Sequence, residues 1–214
     1  MTAERDIHAE YTLLQDAYCE QERQLEEKGL SVYERPGTVD WYKFMRAHDA
    51  NINPSFKPSS EVTPENSMAI FAGDVGVNAL RVYDMDDIRD WLSSGKLWGV
   101  DDPTIECLPL PEGFPKISGR VAQIGGLRVV RNGEKIGKRL DMLARIAAAR
   151  IGAKHIIALR RAERTTGQWL DYYASERTAP VYEDYPFYGQ PINIHLTHCS
   201  ALELSSRFMD GRDS

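Results

Sequence analysis

At 214 residues, the chain is long enough for one domain with a full core. Its hydrophobic content of 42% and charged content of 27% are ordinary for a globular protein, and a net charge of −6 argues against nucleic acid or a membrane surface as a general partner. No apolar run has the length of a membrane span, and residues 1–6 do not read as a signal peptide. Cys19, Cys107 and Cys199 are scattered like reduced thiols, so a cytoplasmic protein is expected.

In chain order, Ile7, Tyr11, Leu14, Tyr18 and Leu25 predict an amphipathic first helix, with an acidic outer face over 20–27 and Gly29 as its stop signal. Asp40 is the expected cap of a second helix over 41–50, with Trp41, Phe44 and Met45 turned inward. Residues 51–66 are rich in Pro, Ser and Asn and read as an exposed loop. Two β-branched, apolar stretches, 67–72 and 75–84, flank Gly73-Asp74 and predict a hairpin in which Met68, Ile70, Val77 and Leu80 are buried. A short helix opening at Asp86 follows, and then a proline-containing loop over 97–116 that could border a cleft. Residues 118–130 read as a central strand with Gly125-Gly126 as a bulge.

The next stretch carries the strongest signal. A polar turn holding Gly133 and Gly137 precedes a run over 138–153 with Leu140, Met142, Leu143, Ile146, Ala147 and Ile151 at helical spacing. Gly152 ends the run, and an apolar strand over 154–159 follows. Strand, loop, helix and strand make a crossover unit. The first amides of the helix have no intrahelical partner and the dipole makes that end partly positive. Arg131, Lys135, Lys138 and Arg139 add charge there, so the loop is suited to an anion such as pyrophosphate; the plainer reading is an ordinary crossover with a basic helix start. Further on, 165–175 reads as a helix, 179–182 and 192–196 as closing strands, and 202–208 as ambiguous. His195, His198 and Cys199 are spaced for alternate faces of a strand and not for one tetrahedral metal site.

Asn132-Gly133-Glu134-Lys135-Ile136-Gly137 resembles the Arg/Gln-x-x-Gly-x-Gly/Ala fingerprint of the GCN5-related N-acetyltransferases (GNAT). Asn132 departs from it where Arg or Gln is usual, and Lys135 departs from it at the central glycine. The resemblance implies an α/β fold, an acyl-CoA N-acyltransferase-like mixed sheet flanked by helices. It would span 1–214 as a single domain, with an N-terminal helix in 1–30 and the cofactor-binding core in 118–160. It further implies acetyl-CoA as acyl donor, held by Leu127, Val129, Arg131, Asn132, Gly133, Lys135, Ile136, Gly137, Lys138 and Arg139. The acceptor would be a small-molecule or peptide amine, with neither nucleic acid nor membrane as partner, and a homodimer is compatible with it.

Acetyl transfer must deprotonate the amine, polarise the thioester carbonyl and protonate the departing thiolate. The resemblance places the polarising amide in 125–129 and makes Tyr173, or else Tyr172, the acid; the helper Asn of the family falls near Thr165 or Thr166. No Asp or Glu lies in 118–130, which leaves Asp74, Glu106 or a water as base. Two other functions stay open: a non-catalytic binding or regulatory protein of this fold, favoured by the departure at Lys135, and a transferase of longer acyl chains, favoured by the 97–116 loop.

Overall fold

The computed structural model describes residues 7–97, 106–131, 135–165, 177–187 and 189–209. The described residues contain seven strands: β1 (Val32–Pro36), β2 (Ser67–Ala72), β3 (Gly76–Met85), β4 (Gly119–Val129), β5 (His155–Arg161), β6 (Arg177–Phe187) and β7 (Gln190–Ser200). Five helices accompany them: α1 (Ile7–Glu26), α2 (Val39–Ala47), α3 (Ile88–Ser93), α4 (Ile136–Arg150) and α5 (Ala201–Met209). The strands form one sheet in the order β1-β2-β3-β4-β5-β7-β6. Only the β4–β5 pair is parallel among those described; every other neighbour is antiparallel. This is the mixed sheet flanked by helices that the sequence suggests.

The alternation of side chains along each strand assigns the two faces. Leu80 and Val82 of β3, Ala122 and Ile124 of β4, and Ile156 and Ala158 of β5 pack under α1, α4 and α5. On the opposite face Val77 and Ala79 meet Trp41 and Met45 of α2, while Tyr83, Val121 and Ile157 meet Ile88 and Leu92 of α3. α4 is buried almost all round, from Leu140 to Ala148, because the sheet covers one side and α1 the other. Its polar members survive burial by pairing: Arg145 Nε donates to Asp141 Oδ2 at 2.9 Å, one turn earlier.

The hairpin forms with Ile70, Val77 and Leu80 buried, while Met68 is half-buried. Several boundaries differ from expectation. In α1, Leu14, Tyr18 and Leu25 are buried but Tyr11 is 49% exposed; spacing alone does not say where along a helix its packing partner reaches. Thr38, not Asp40, precedes α2, and its side chain makes no capping bond; Asp87, not Asp86, caps α3 by accepting from Arg89 N. α4 starts two residues earlier than its apolar spacing predicts. β6 and β7 extend into polar, exposed positions, and residues 201–209 are helical. β1 escapes prediction because four of its five residues are exposed on an edge strand.

The 51–66 segment is the main correction. It is not simply an exposed loop: Ser55 and Phe56 are fully buried. Asn53 accepts from Ser55 N at 3.0 Å and closes a short 3₁₀ turn over Pro54–Phe56. A buried polar chain then ties this turn to the sheet centre. Tyr83 O–H donates to Gln123 Oε1 at 2.7 Å, Gln123 Nε2 donates to Ser55 Oγ at 3.1 Å, and Ser55 O–H donates to Leu97 O at 2.7 Å. Each side chain in this series has a hydrogen-bond partner, which is what burial demands.

Candidate active site

β4 and β5 pair over Val121↔His155, Ala122↔Ile156 and Gln123↔Ile157, and there the pairing stops although both strands continue. Beyond Gln123 the strands part, and the opening is a cleft of about 770 Å³. One wall is β4 from Ile124 to Leu127 together with Val129. The other is β5 from Ala158 to Arg161 and the turn after it. Arg131, Lys135, Ile136 and Gly137 close one end, so the start of α4, whose N-cap Lys135 makes no side-chain capping bond, opens into the cleft.

The β4 wall is shaped by its two glycines. Ala79 pairs with Gly125 and Val77 with Arg128, so β4 carries one residue more than β3 across this step, the expected bulge. A Cβ on Gly125 would come 3.0 Å from Phe56 Cε2. Gly126 has φ +66°, and a Cβ there would lie 2.5 Å from the Trp41 ring. Trp41 Nε1–H donates to Gly126 O at 2.9 Å. The double glycine therefore lets α2 and the 3₁₀ turn press against the bulge.

Lys135 stands at the fingerprint's central glycine and has φ +57°, the left-handed backbone that glycine adopts freely. The loop thus keeps a glycine-like path at this position despite the substitution, at a cost of about 1–2 kcal/mol. Of the residues expected to hold the donor, Leu127, Val129, Arg131, Lys135, Ile136 and Gly137 line the cleft. Arg139 is turned to α1, where its Nη1 donates to Gln21 Oε1 at 3.1 Å, and the half-buried Lys138 is not part of the lining. Asn132, Gly133, Tyr172 and Tyr173 lie outside the described residues.

Charge in the cleft is mainly positive. Arg131 and Lys135 stand at the α4 end and Arg160, Arg161 and Arg164 at the β5 end, with Glu163 the one carboxylate among the described lining residues. Arg160 is fixed by Asp141, whose Oδ1 accepts from Arg160 Nη2 at 2.7 Å. Burial opposes the charge of Arg145, but Asp141 and Cys199 beside it outweigh that and raise its pKa. Of the bases the sequence offered, Asp74 is exposed in the hairpin turn and Glu106 is exposed in the loop before β4; neither lines the cleft.

The histidines part company as their spacing predicts. His195 Nδ1 lies 2.8 Å from Thr165 Oγ1, and the same hydroxyl donates to Ala162 O at 2.7 Å, so Nδ1 carries the proton. Burial lowers the pKa of His195. His198 Nε2 lies 3.1 Å from His155 Nδ1, and burial together with His155 lowers its pKa to about 4. The described residues hold no group of three or more metal-ligating side chains.

Trp41, Asn53, Phe56, Asp141, Arg160 and Glu163 were not among the expected site residues. By spacing Trp41 reads as core, and by composition the 51–66 turn reads as surface; the Asp141–Arg160 pair joins a helix to a strand and leaves no local pattern.

No family model and no curated protein matches the sequence. Among solved structures, Arabidopsis thaliana NAA60 in complex with acetyl-CoA is similar at 14% identity, covering 79% of this chain and 98% of its own, with a TM-score of 0.49. FeeM, an N-acyl amino acid synthase from uncultured soil microbes, covers 100% of this chain and 95% of its own at 10% identity and a TM-score of 0.39. TofI, in a ternary complex with an inhibitor and MTA, covers 82% and 96% at 10% identity and a TM-score of 0.42. Identities this low speak to neither substrate nor activity, so the chemistry of the cleft is argued from its own residues.

Proposed function

We propose that the cleft binds an acyl-coenzyme A, acetyl-CoA first, and transfers its acyl group to the nitrogen of a small-molecule or peptide amine. The observation that carries this reading is the parting of β4 from β5 after Gln123. It leaves a strand edge facing an open slot that runs to a basic helix start. An extended chain of amides and methylenes can lie along that edge as a strand would, and a pyrophosphate suits the positive end of the α4 dipole with Arg131 and Lys135 beside it.

In the reaction the amine nitrogen attacks the thioester carbon, and the carbonyl π pair moves onto oxygen. An amide of the β4 bulge stabilises that oxyanion. The pair returns, the C–S bond breaks, and the sulfur leaves with its electrons. Tyr173 is the first choice to protonate the sulfur and Tyr172 the second, both from the resemblance. Glu163, through a water, is the carboxylate placed to take the amine proton.

Titration with coenzyme A and acetyl-CoA tests binding, which should weaken as salt rises. Arg131→Ala with Lys135→Ala should weaken it by about tenfold or more. Thiol release with a panel of polyamines, amino acids and peptides tests transfer. No binding at millimolar ligand would refute the reading, and binding without turnover by any amine would leave a non-catalytic protein.

A further inference from the structure

Trp41 is wholly buried in the layer behind the sheet. A buried indole N–H needs an acceptor, and a neighbouring helix or strand could have supplied one. Here the acceptor is Gly126 O, 85 residues away in sequence and inside the β4 bulge. The indole also fills the space that a side chain at 126 would take, since its Cζ2, Cε2 and Nε1 lie 2.5, 2.8 and 2.8 Å from that Cβ position. Packing and hydrogen bond therefore act on one peptide unit.

That unit holds two groups, Gly126 C=O and Leu127 N–H. A peptide bond is planar and trans, and none among the described residues is cis, so the two groups point in opposite directions. Fixing the carbonyl fixes the amide. A glycine at φ +66° has wide torsional freedom on its own, and without a holder the plane could turn. Gly126 and Leu127 both line the cleft, whereas Trp41, which holds the Gly126 carbonyl, is not part of the lining.

We propose that Trp41 is a positioning residue for acyl transfer: its indole N–H holds Gly126 O, and so aims the Leu127 N–H as the donor to the thioester oxygen. This rests on the function proposed above. The donor is needed most when the carbonyl π pair has moved to oxygen, so its direction matters to turnover more than to binding. Trp41 acts through the peptide and touches no reacting atom.

Two variants test this: Trp41→Phe, which removes the N–H and some volume, and replacement of Trp41 by 3-benzothienylalanine, which removes the N–H at nearly constant shape. Two readouts are used: kcat and KM with acetyl-CoA and an amine found by thiol release, and the infrared carbonyl stretch of carbon-13-labelled acetyl-CoA bound without acceptor. The expected result is a kcat lower by about ten- to a hundredfold, somewhat less than outright loss of an oxyanion donor. KM and the acetyl-CoA Kd should change less than about twofold, and the bound carbonyl stretch should move back toward its value in water. Unchanged kcat and unchanged stretch in the benzothienyl variant would overturn the inference. Loss of Kd and kcat in equal measure would also overturn it, by making Trp41 merely structural. If Trp41→Phe does not fold, the benzothienyl variant decides. A wild-type protein that binds no acetyl-CoA ends the proposed function and this inference with it, and is told apart from the other outcomes by the wild-type titration alone.

Discussion

Replacing Gly126 by Ala would measure how tightly the bulge is held. Two costs combine. At φ +66° an L side chain meets its own backbone, which costs about 1–2 kcal/mol. The new Cβ would also lie 2.5 Å from Trp41 Cζ2, against a ring locked in the core, and overpacking of this kind costs about 1–3 kcal/mol. The sum is about 2–5 kcal/mol, or a melting temperature lower by about 5–15 °C for a chain of this size. Gly29→Ala separates the two costs, because Gly29 has φ +74° and nothing lies within 4 Å of its Cβ position. Its loss should be the backbone cost alone, about 1–2 kcal/mol. Urea denaturation gives both values, provided the slope stays constant. Adding Trp41→Phe to Gly126→Ala should recover part of the loss, a coupling that a double-mutant cycle reads directly. Equal destabilisation at Gly126 and Gly29, with no coupling to Trp41, would refute the account of the bulge.

Asp141→Asn should destabilise the protein by about 3–5 kcal/mol in denaturant, because it leaves buried Arg145 and largely buried Arg160 without the carboxylate both bind; a loss under about 1 kcal/mol would refute this. The His155–His198 pair predicts a pH limb. The folded pKa of His198 is about 4 against an ordinary 6.5, so the unfolded chain binds the extra proton. Stability should be complete above about pH 6.5 and fall as pH drops toward 4, by at most about 3 kcal/mol, and His198→Asn should flatten that limb in a series of denaturation curves. Tyr173→Phe should lower kcat by about two to four orders of magnitude with acetyl-CoA affinity nearly constant. A large effect in Tyr172→Phe instead would move the role by one residue.

What was legible in the sequence was what repeats locally. The hairpin showed itself through two β-branched runs about a turn, and α4 through its apolar spacing. The anion end of the cleft was visible because Arg131, Lys135 and the helix start are close in sequence. The back of the site was not. Phe56 and Ser55 sit in a segment whose composition is that of a surface loop, and what buries them is distant in sequence: Gln123 and Leu97 for Ser55, Trp41 and the Val77–Ala79 cluster for Phe56. Trp41 looked like any inward aromatic of a helix, since nothing local tells which acceptor an indole will find. Lys135 looked like damage to a motif, yet its backbone takes the glycine-like conformation there. Asp141 and Arg160 belong to different elements, and their pairing exists only once α4 lies on β5.

The parting of β4 from β5 has a mechanical side. β1 to β4 form one leaf and β5, β7 and β6 another, joined in the sheet by three residue pairs near Gln123. With three pairs at the joint, a change of angle between the leaves would strain few hydrogen bonds. α4 lies over both leaves, touching β3 and β4 on one and β5 on the other, and works as a strap across the joint. A guest chain seated between the leaves, as the proposed function requires, would be a spar that sets their angle. Amide exchange at 124–129 and 158–161 should then slow together when acetyl-CoA binds. Exchange that slowed on one leaf alone would show a rigid joint, whereas leaves that swing can take acyl chains of different girth without repacking either core.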